Sequence, residues 1–162
     1  MKWYNAIADG YDELRGEEQR AKLRQFNPYI EPDMRVLDVG FGTGISDEMF
    51  DSTVIGIEPN KSMLQSYDGN TTVYNRPADD LGGLFEESVF DAVLCVSTAH
   101  HFKDAERVFG QIRRVLRPGG YFFISLFVDE QDLLEYSVIN EFEEEERCRV
   151  HHDIVVTYRL SD

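Results

Sequence analysis

Asp38, Gly40, Gly42, Gly44 and Glu58 are the residues whose types and spacing could act together on a ligand. Val36, Leu37 and Val39 are apolar strand positions, Asp38 stands at that strand's carboxyl end, and glycines follow at alternate positions before an amphipathic run. This order of residue types predicts a strand, a tight turn and a helix start. Without Cβ atoms the turn can bend sharply and a ligand can approach its main-chain N–H groups. A second apolar run, VIGI, ends at Glu58, eighteen positions after Gly40. That interval holds a helix and a strand, so a parallel sheet would bring Glu58 beside the turn, where its carboxylate can accept both hydroxyls of a ribose.

Two nucleotide chemistries compete for such a turn. A dinucleotide fingerprint of a nicotinamide oxidoreductase wants a third glycine at position 45, where Ile45 stands. A pyrophosphate also gains nothing from Asp38, whereas a ligand carrying an ammonium and a ribose does. The stretch RVLDVGFGTG resembles the first motif of the class I S-adenosylmethionine-dependent methyltransferases. The resemblance implies that Asp38, Gly40, Phe41, Gly42 and Gly44 border S-adenosyl-L-methionine and that Glu58, followed by Pro59, takes its ribose. RPADDL (76–81) resembles the second motif of the family, with Ala78 offering its backbone N–H to adenine and Asp79 at the rim; Pro77 and Gly82–Gly83 depart from the family pattern. RVLRPGGYFFI (114–124) is similar to the third motif, which is structural in character. YNAIADGYDELRG is similar to the openings of the ubiquinone/menaquinone-biosynthesis branch, whose acceptors are small molecules. By that likeness residues 1–34 form a helical lid, and Tyr11, beside Asp12, closes over the methionine end of the cofactor.

The chemistry implied is in-line methyl transfer from a sulfonium to a small-molecule acceptor, leaving S-adenosyl-L-homocysteine. The methyl is already activated, so positioning and exclusion of water carry much of the reaction, and a base is needed only if the acceptor must lose a proton. Ser97, His100 and His101 follow the fourth strand, and residues just past a strand's carboxyl end border the ligand crevice of an open sheet. Imidazole titrates near neutrality, which makes His100 the first candidate base and His101 the second, one of them facing the crevice. No Asn-Pro-Pro-Tyr-like string follows this strand, which favours small molecules over the amino groups of bases or glutamine. A non-catalytic nucleotide-binding or assembly domain, an NAD-dependent oxidoreductase, and a methyltransferase acting on RNA or protein with an accessory subunit are the alternatives.

The elements that must position these residues can be read along the chain. Helical character spans Glu13–Phe26, and Trp3, Tyr4, Ile7 and Tyr11 recur at helical spacing before it. Strands are expected at 36–39, Thr53–Ile57, Thr71–Tyr74, Phe90–Val96 and Tyr121–Phe127, with helices at Thr43–Phe50, Lys61–Tyr67 and Asp104–Leu116. Pro118-Gly119-Gly120 should turn the last helix into the fifth strand. Asp129–Asn140 reads as a further helix, and two strands at 143–149 and Ile154–Leu160 should add an antiparallel edge. The expectation is an α/β Rossmann-like three-layer sandwich, one methyltransferase domain over 1–162, mostly parallel, with a reduced C-terminal region that leaves no room for an inserted substrate cap.

Acidic residues outnumber basic ones 31 to 16, a formal charge of -15, and a field of that sign repels phosphate backbones, which argues against extensive nucleic-acid binding. No run approaches the roughly eighteen apolar residues that would read as a membrane span. The first residues lack the apolar stretch of a secretory signal. Two cysteines far apart suggest neither a disulfide framework nor a metal site, and a free Cys95 inside an apolar run suits a reducing cytoplasm. His151–His152 reads as a turn. A monomer or homodimer is expected, with a small accessory subunit as a possible partner.

Overall fold

The computed structural model describes residues 11–162, with side chains from residue 15 onward. Trp3, Tyr4 and Ile7, and the side chains of Tyr11 and Asp12, therefore lie outside the described residues, as does the lid contact expected of Tyr11.

Helix α1 (Tyr11–Arg24) precedes strand β1 (Arg35–Val39), whose last four residues are all buried. Near-continuous burial is what a central parallel strand requires, because both of its faces are covered. Then follow α2 (Ile45–Met49), β2 (Thr53–Ile57), α3 (Lys61–Gln65), β3 (Thr72–Tyr74), a 3-10 turn at Ala78–Gly83 and β4 (Phe90–Val96). A second 3-10 turn, Ala99–His101, leads into α4 (Ala105–Val115), then β5 (Leu116–Phe127), β6 (Phe142–Val150) and β7 (Asp153–Leu160). The seven strands lie in the order β3-β2-β1-β4-β5-β7-β6, parallel from β3 to β5, with β7 antiparallel to both β5 and β6. The expected Rossmann-like three-layer sandwich with an antiparallel C-terminal edge is the observed fold.

The two faces of the sheet are covered by different elements. On one, Leu23 and Phe26 from the N-terminal segment pack on Val36, Val54, Leu94 and Phe123, and the Phe26 and Phe123 rings stack at 4.4 Å. On the other, Val108, Phe109, Ile112 and Val115 of α4 bury fully against Val93, Phe122 and Ile124. Those four recur at helical spacing, and the Asp104 side chain caps the helix by accepting from the Arg107 N–H at 3.0 Å.

Two stretches differ from their sequence expectation. Asp129–Asn140 is no α-helix: it forms two 3-10 segments, Val128–Glu135 and Ser137–Glu141, separated by Tyr136 in an extended conformation. Its apolar residues fall at 133, 134, 136, 138 and 139, which makes no three-and-four stripe, and only Ile139 is buried. Strand β5 begins at Leu116, ahead of the Pro-Gly-Gly turn, which becomes a bulge: the register with β4 slips between Phe90 and Ala92. The four glutamates of β6 are exposed, and His151 and His152 form the β6–β7 turn. Among the described residues no helix is long and apolar enough to cross a membrane, and no cluster of His, Cys, Asp or Glu could hold a metal ion.

Candidate cofactor site

The glycine turn lies at the carboxyl end of β1, where the Gly40 and Phe41 N–H groups both donate to the Ile57 carbonyl at 2.9 and 3.0 Å. Gly40, at φ +87°, has no room for a side chain, since a Cβ there would lie 2.5 Å from Thr98 Oγ1. Gly42, at φ +61°, differs: the nearest atom to a Cβ would be Met63 Cε at 3.5 Å, and Met63 lines the adjoining recess. A side chain at 42 would fill that recess.

Three neighbouring recesses meet at Gly40. The first is lined by Gly40, Gly42, Glu58, Pro59, Asn60, Met63, Ser97 and His101. The second carries Gln19, Asp38, Phe41, Thr43 and Ser46. The third has Ile57, Pro59, Ala78, Asp79, His101 and Phe102 as its walls. Eight of the expected residues are thus brought together around one turn: Asp38, Gly40, Phe41, Gly42, Glu58, Pro59, Ala78 and Asp79. Ser97 and His101 join them. Gly44 does not belong to these walls; a Cβ there would lie 2.4 Å from the Tyr67 ring, so its part is in packing.

Glu58 is 7% exposed and grips the turn it faces. One carboxylate oxygen accepts from the Gly42 N–H at 3.0 Å and the other from the Asn60 N–H at 2.7 Å. Burial raises its pKa, and the two backbone hydrogen bonds oppose that rise. Each oxygen keeps a lone pair for a further donor. The neighbouring Asn60 Nδ2 is a buried donor with no partner among the described residues. An acceptor pair beside an unused donor, with a Cβ-free wall at Gly42, matches the hydroxyls and ring of a nucleoside.

Asp38 is buried in the second recess, where Ser46 Oγ donates to it at 2.5 Å. Desolvation pushes its pKa up to about 7, opposed by the Ser46 hydrogen bond and assisted by the charge of Glu58. A carboxylate held this way gains most from a cationic ligand group that restores its ionised form.

Of the two histidines, His101 alone lines the first and third recesses. Burial, followed by the charge of His100, drives its pKa down to about 4. It is neutral at pH 7. The His100 ring packs on that of His101, centroids 3.9 Å apart, with its Nδ1 3.8 Å from Glu130 Oε2 and its ring 5.5 Å from that of Phe127. The first base candidate is therefore not among the residues that line the first and third recesses.

Ser97 is the residue whose surroundings were least foreseeable. Lys22 of α1, 1% exposed, donates to Ser97 Oγ at 2.8 Å, to Asp153 of β7 at 2.6 Å and to Glu18 at 3.0 Å. Gln19 also reaches Ser97 Oγ, at 3.3 Å. Gln19, Ser46, Asn60 and this ion pair were missed by sequence reasoning. Asn60 and Ser46 had a local signal, lying two residues past Glu58 and Gly44; Lys22 and Asp153 had none, because a lysine on a charged helix reads as solvent-facing.

A family model described as a methyltransferase domain matches residues 37–124, more than half of the chain. The chain belongs to that family. Its matched segment begins inside β1 and ends inside β5, so it takes in the glycine turn, Glu58 and the strand end at Ser97. Among curated relatives, the methyltransferase domain is 32% identical over 108 residues to an uncharacterized methyltransferase of Schizosaccharomyces pombe, covering 57% of this chain and 38% of that protein. It is 30% identical over 114 residues to a sterol 24-C-methyltransferase of the same yeast, covering 64% of this chain and 30% of that one. The chain spans well under half the length of these relatives. Among solved structures, a chain in the complex of the Haloferax volcanii Trm112 methyltransferase activator with a methyltransferase superposes with TM-score 0.82 at 14% identity, covering 98% of each chain. The 1,6-didemethyltoxoflavin-N1-methyltransferase of Burkholderia thailandensis, solved with its substrate and S-adenosylhomocysteine, gives 0.71 at 20% identity over 90% of this chain and 78% of that one. At such identities these likenesses establish the fold, that of the class I S-adenosylmethionine-dependent methyltransferases.

Proposed function

We propose that this chain is an S-adenosylmethionine-dependent methyltransferase of the small-molecule branch, working as one domain over residues 1–162 in the cytoplasm. The observation that carries the reading is Glu58: a buried carboxylate that holds Gly42 and Asn60 by their N–H groups and still faces a recess walled by Cβ-free backbone. Its remaining lone pairs suit the two ribose hydroxyls. Asp38, desolvated and poised near neutrality, suits the ammonium of the methionine moiety. Ala78 and Asp79 suit the adenine edge, with Pro59 and Phe102 as apolar walls.

When bound, the cofactor supplies an activated methyl on a sulfonium. The chain's own work is to orient the donor, exclude water and direct the acceptor. His101, neutral at physiological pH, serves as a hydrogen-bonding wall of the recess better than as a proton acceptor, since its conjugate acid forms only near pH 4. His100 lies 3.8 Å from Glu130 and lines neither the first nor the third recess, so a base role for it requires an acceptor that extends beyond them. Small-molecule acceptors are supported by relatives such as the sterol 24-C-methyltransferases and the phosphoethanolamine N-methyltransferase 2 of Caenorhabditis elegans, 29% identical over 129 residues.

Calorimetric titration tests the reading. Micromolar binding of S-adenosylmethionine or S-adenosylhomocysteine supports it, and selective binding of NAD would replace it with an oxidoreductase. Transfer of a labelled methyl to any acceptor separates it from a non-catalytic binding domain. A second reading, catalysis with a small accessory subunit, is favoured by one observation: the fold matches a chain from the Trm112 activator complex over nearly its whole length. Co-purification with a defined small protein and an activity that depends on it would support that version.

A further inference from the structure

Ser97 closes β4 with a backbone conformation that side-chain-bearing residues seldom adopt, φ +53°. Such conformations persist where surrounding contacts over-determine them, and they concentrate at functional sites. Here the contacts are explicit. The Ser97 N–H donates to Ser125 Oγ at 2.8 Å. Its hydroxyl oxygen accepts from Lys22 Nζ at 2.8 Å and from Gln19 Nε2 at 3.3 Å, its proton is donated to Asp153 Oδ2 at 3.3 Å, and Ser125 Oγ lies at the same distance. A hydroxyl offers one donor and two acceptor sites, so this one is fully used inside the protein. Ser97 lines the first recess, yet its side chain has nothing left for a ligand.

Lys22 has the same completeness. Its three N–H donors meet Asp153, Ser97 and Glu18. Lys22 and Asp153 are each 1% exposed, and the other Asp153 oxygen, Oδ1, is buried without a partner among the described residues. A buried ion pair of this kind is a poor source of net stability compared with hydrocarbon of the same shape. What it does provide is a directional tie between α1, the end of β4 and the start of β7.

We propose that Lys22 is a positioning residue of the cofactor site: through its ion pair with Asp153 and its hydrogen bond to Ser97 it fixes the left-handed turn after β4, so that the Val96–Thr98 backbone forms one wall of the recess facing Gly40 and Glu58. The inference rests on the reading of that recess as the S-adenosylmethionine site. Lys22 touches no ligand in this account. It acts through Ser97, and Ser97 acts through its backbone. Thr98 lies on the same turn, in the space that a Gly40 Cβ would need, so a shift at 97 carries directly to the glycine turn.

A double-mutant cycle in binding affinity tests this. S-adenosylhomocysteine binding is measured by calorimetry on the full chain for wild type, Lys22→Met, Ser97→Ala and the double variant, with melting temperature recorded for each. Wild-type binding itself checks the underlying reading; if wild type binds no S-adenosylhomocysteine, that reading fails and the assignment of Lys22 fails with it. Given wild-type binding, Ser97→Ala, which keeps the Lys22–Asp153 pair, should weaken affinity about tenfold in a chain that still folds, with a melting temperature lowered by a few degrees because a buried Lys22 N–H loses its acceptor. Lys22→Met should weaken it by a similar factor in the wild type and by less than twofold in the Ser97→Ala background. Should Lys22→Met fail to fold, Lys22→Met/Asp153→Leu, which replaces the pair by hydrocarbon, takes its place in the cycle. Unchanged affinity in Ser97→Ala, or a Lys22 effect of equal size with and without the Ser97 hydroxyl, overturns the proposal and leaves the ion pair a packing feature.

Discussion

At the scale of single residues, the site sets two carboxylates different tasks by environment. Glu58 is held by two backbone donors; if it takes the ribose as proposed, Glu58→Ala should cut S-adenosylhomocysteine affinity at least tenfold, about 1.4 kcal/mol or more, while circular dichroism stays that of the folded protein. Unchanged affinity would remove it as the ribose acceptor. Asp38 has a folded pKa raised to about 7 from an ordinary 3.8, so its contribution to stability is intact below pH 4 and is lost as pH climbs through 7. The destabilisation at alkaline pH comes first from burial, is reduced by the Ser46 hydrogen bond and is increased by the charge of Glu58. Asp38→Asn, which keeps an acceptor for Ser46, should therefore raise the melting temperature above pH 7 relative to wild type and weaken cofactor binding. A wild type equally stable at pH 5 and pH 8.5, with no gain in the variant, would contradict the buried, unpaired carboxylate. Both residues were legible in the sequence because chemistry and spacing coincided: an acid at a strand end, three alternating glycines, a second acid one helix and one strand later. Which of His100 and His101 lines the recess was not, since it depends on packing of His100 against His101 and against Glu130 and Phe127, which are distant in sequence.

At the scale of elements, strands β1, β2 and β4 and helix α4 followed from apolar runs and periodicity, because burial on a parallel sheet imposes those patterns directly. The segment 128–141 did not form the helix its composition suggested; helix formers without an apolar stripe leave nothing for a helix to bury. The tie between α1 and β7 was equally hidden, for Lys22 and Asp153 are 131 positions apart and only the antiparallel addition of β7 beside β5 brings them together. Lys22→Met should cost about 3–5 kcal/mol of stability, read by urea denaturation, because it leaves the Asp153 charge buried and unpaired. Lys22→Met/Asp153→Leu should recover most of that loss; a single variant as stable as wild type would mean that Asp153 is not buried as described. The glycine turn is fixed from the other side: Gly40→Ala must displace Thr98 and should abolish cofactor binding, detectable by calorimetry even if the chain folds.

At the scale of the whole molecule, a formal charge of -15 on 162 residues works against the compact state through self-repulsion. Raising salt from about 10 mM to 150 mM shortens the Debye length from about 30 to 8 Å and should raise the melting temperature by a few degrees. A melting temperature that falls with salt would show that attractive pairs dominate instead. The acids of β6 stand exposed on an open sheet edge, where charge and the bulge at Glu145 discourage pairing with other strands. The candidate site lies at the carboxyl ends of β1, β2 and β4, where an open parallel sheet places its ligand crevice. Under the proposed methyl transfer the acceptor would leave no such signature, because a methyl already activated by a sulfonium asks little of the chain beyond placement.

The most direct test is a crystal structure of the full chain soaked with S-adenosylhomocysteine. Both ribose hydroxyls are expected on the Glu58 carboxylate, the adenine between Pro59 and Phe102, and the amino group beside Asp38. A ligand seated with its ribose away from Glu58, or no bound ligand at saturating concentration, would contradict the proposed site.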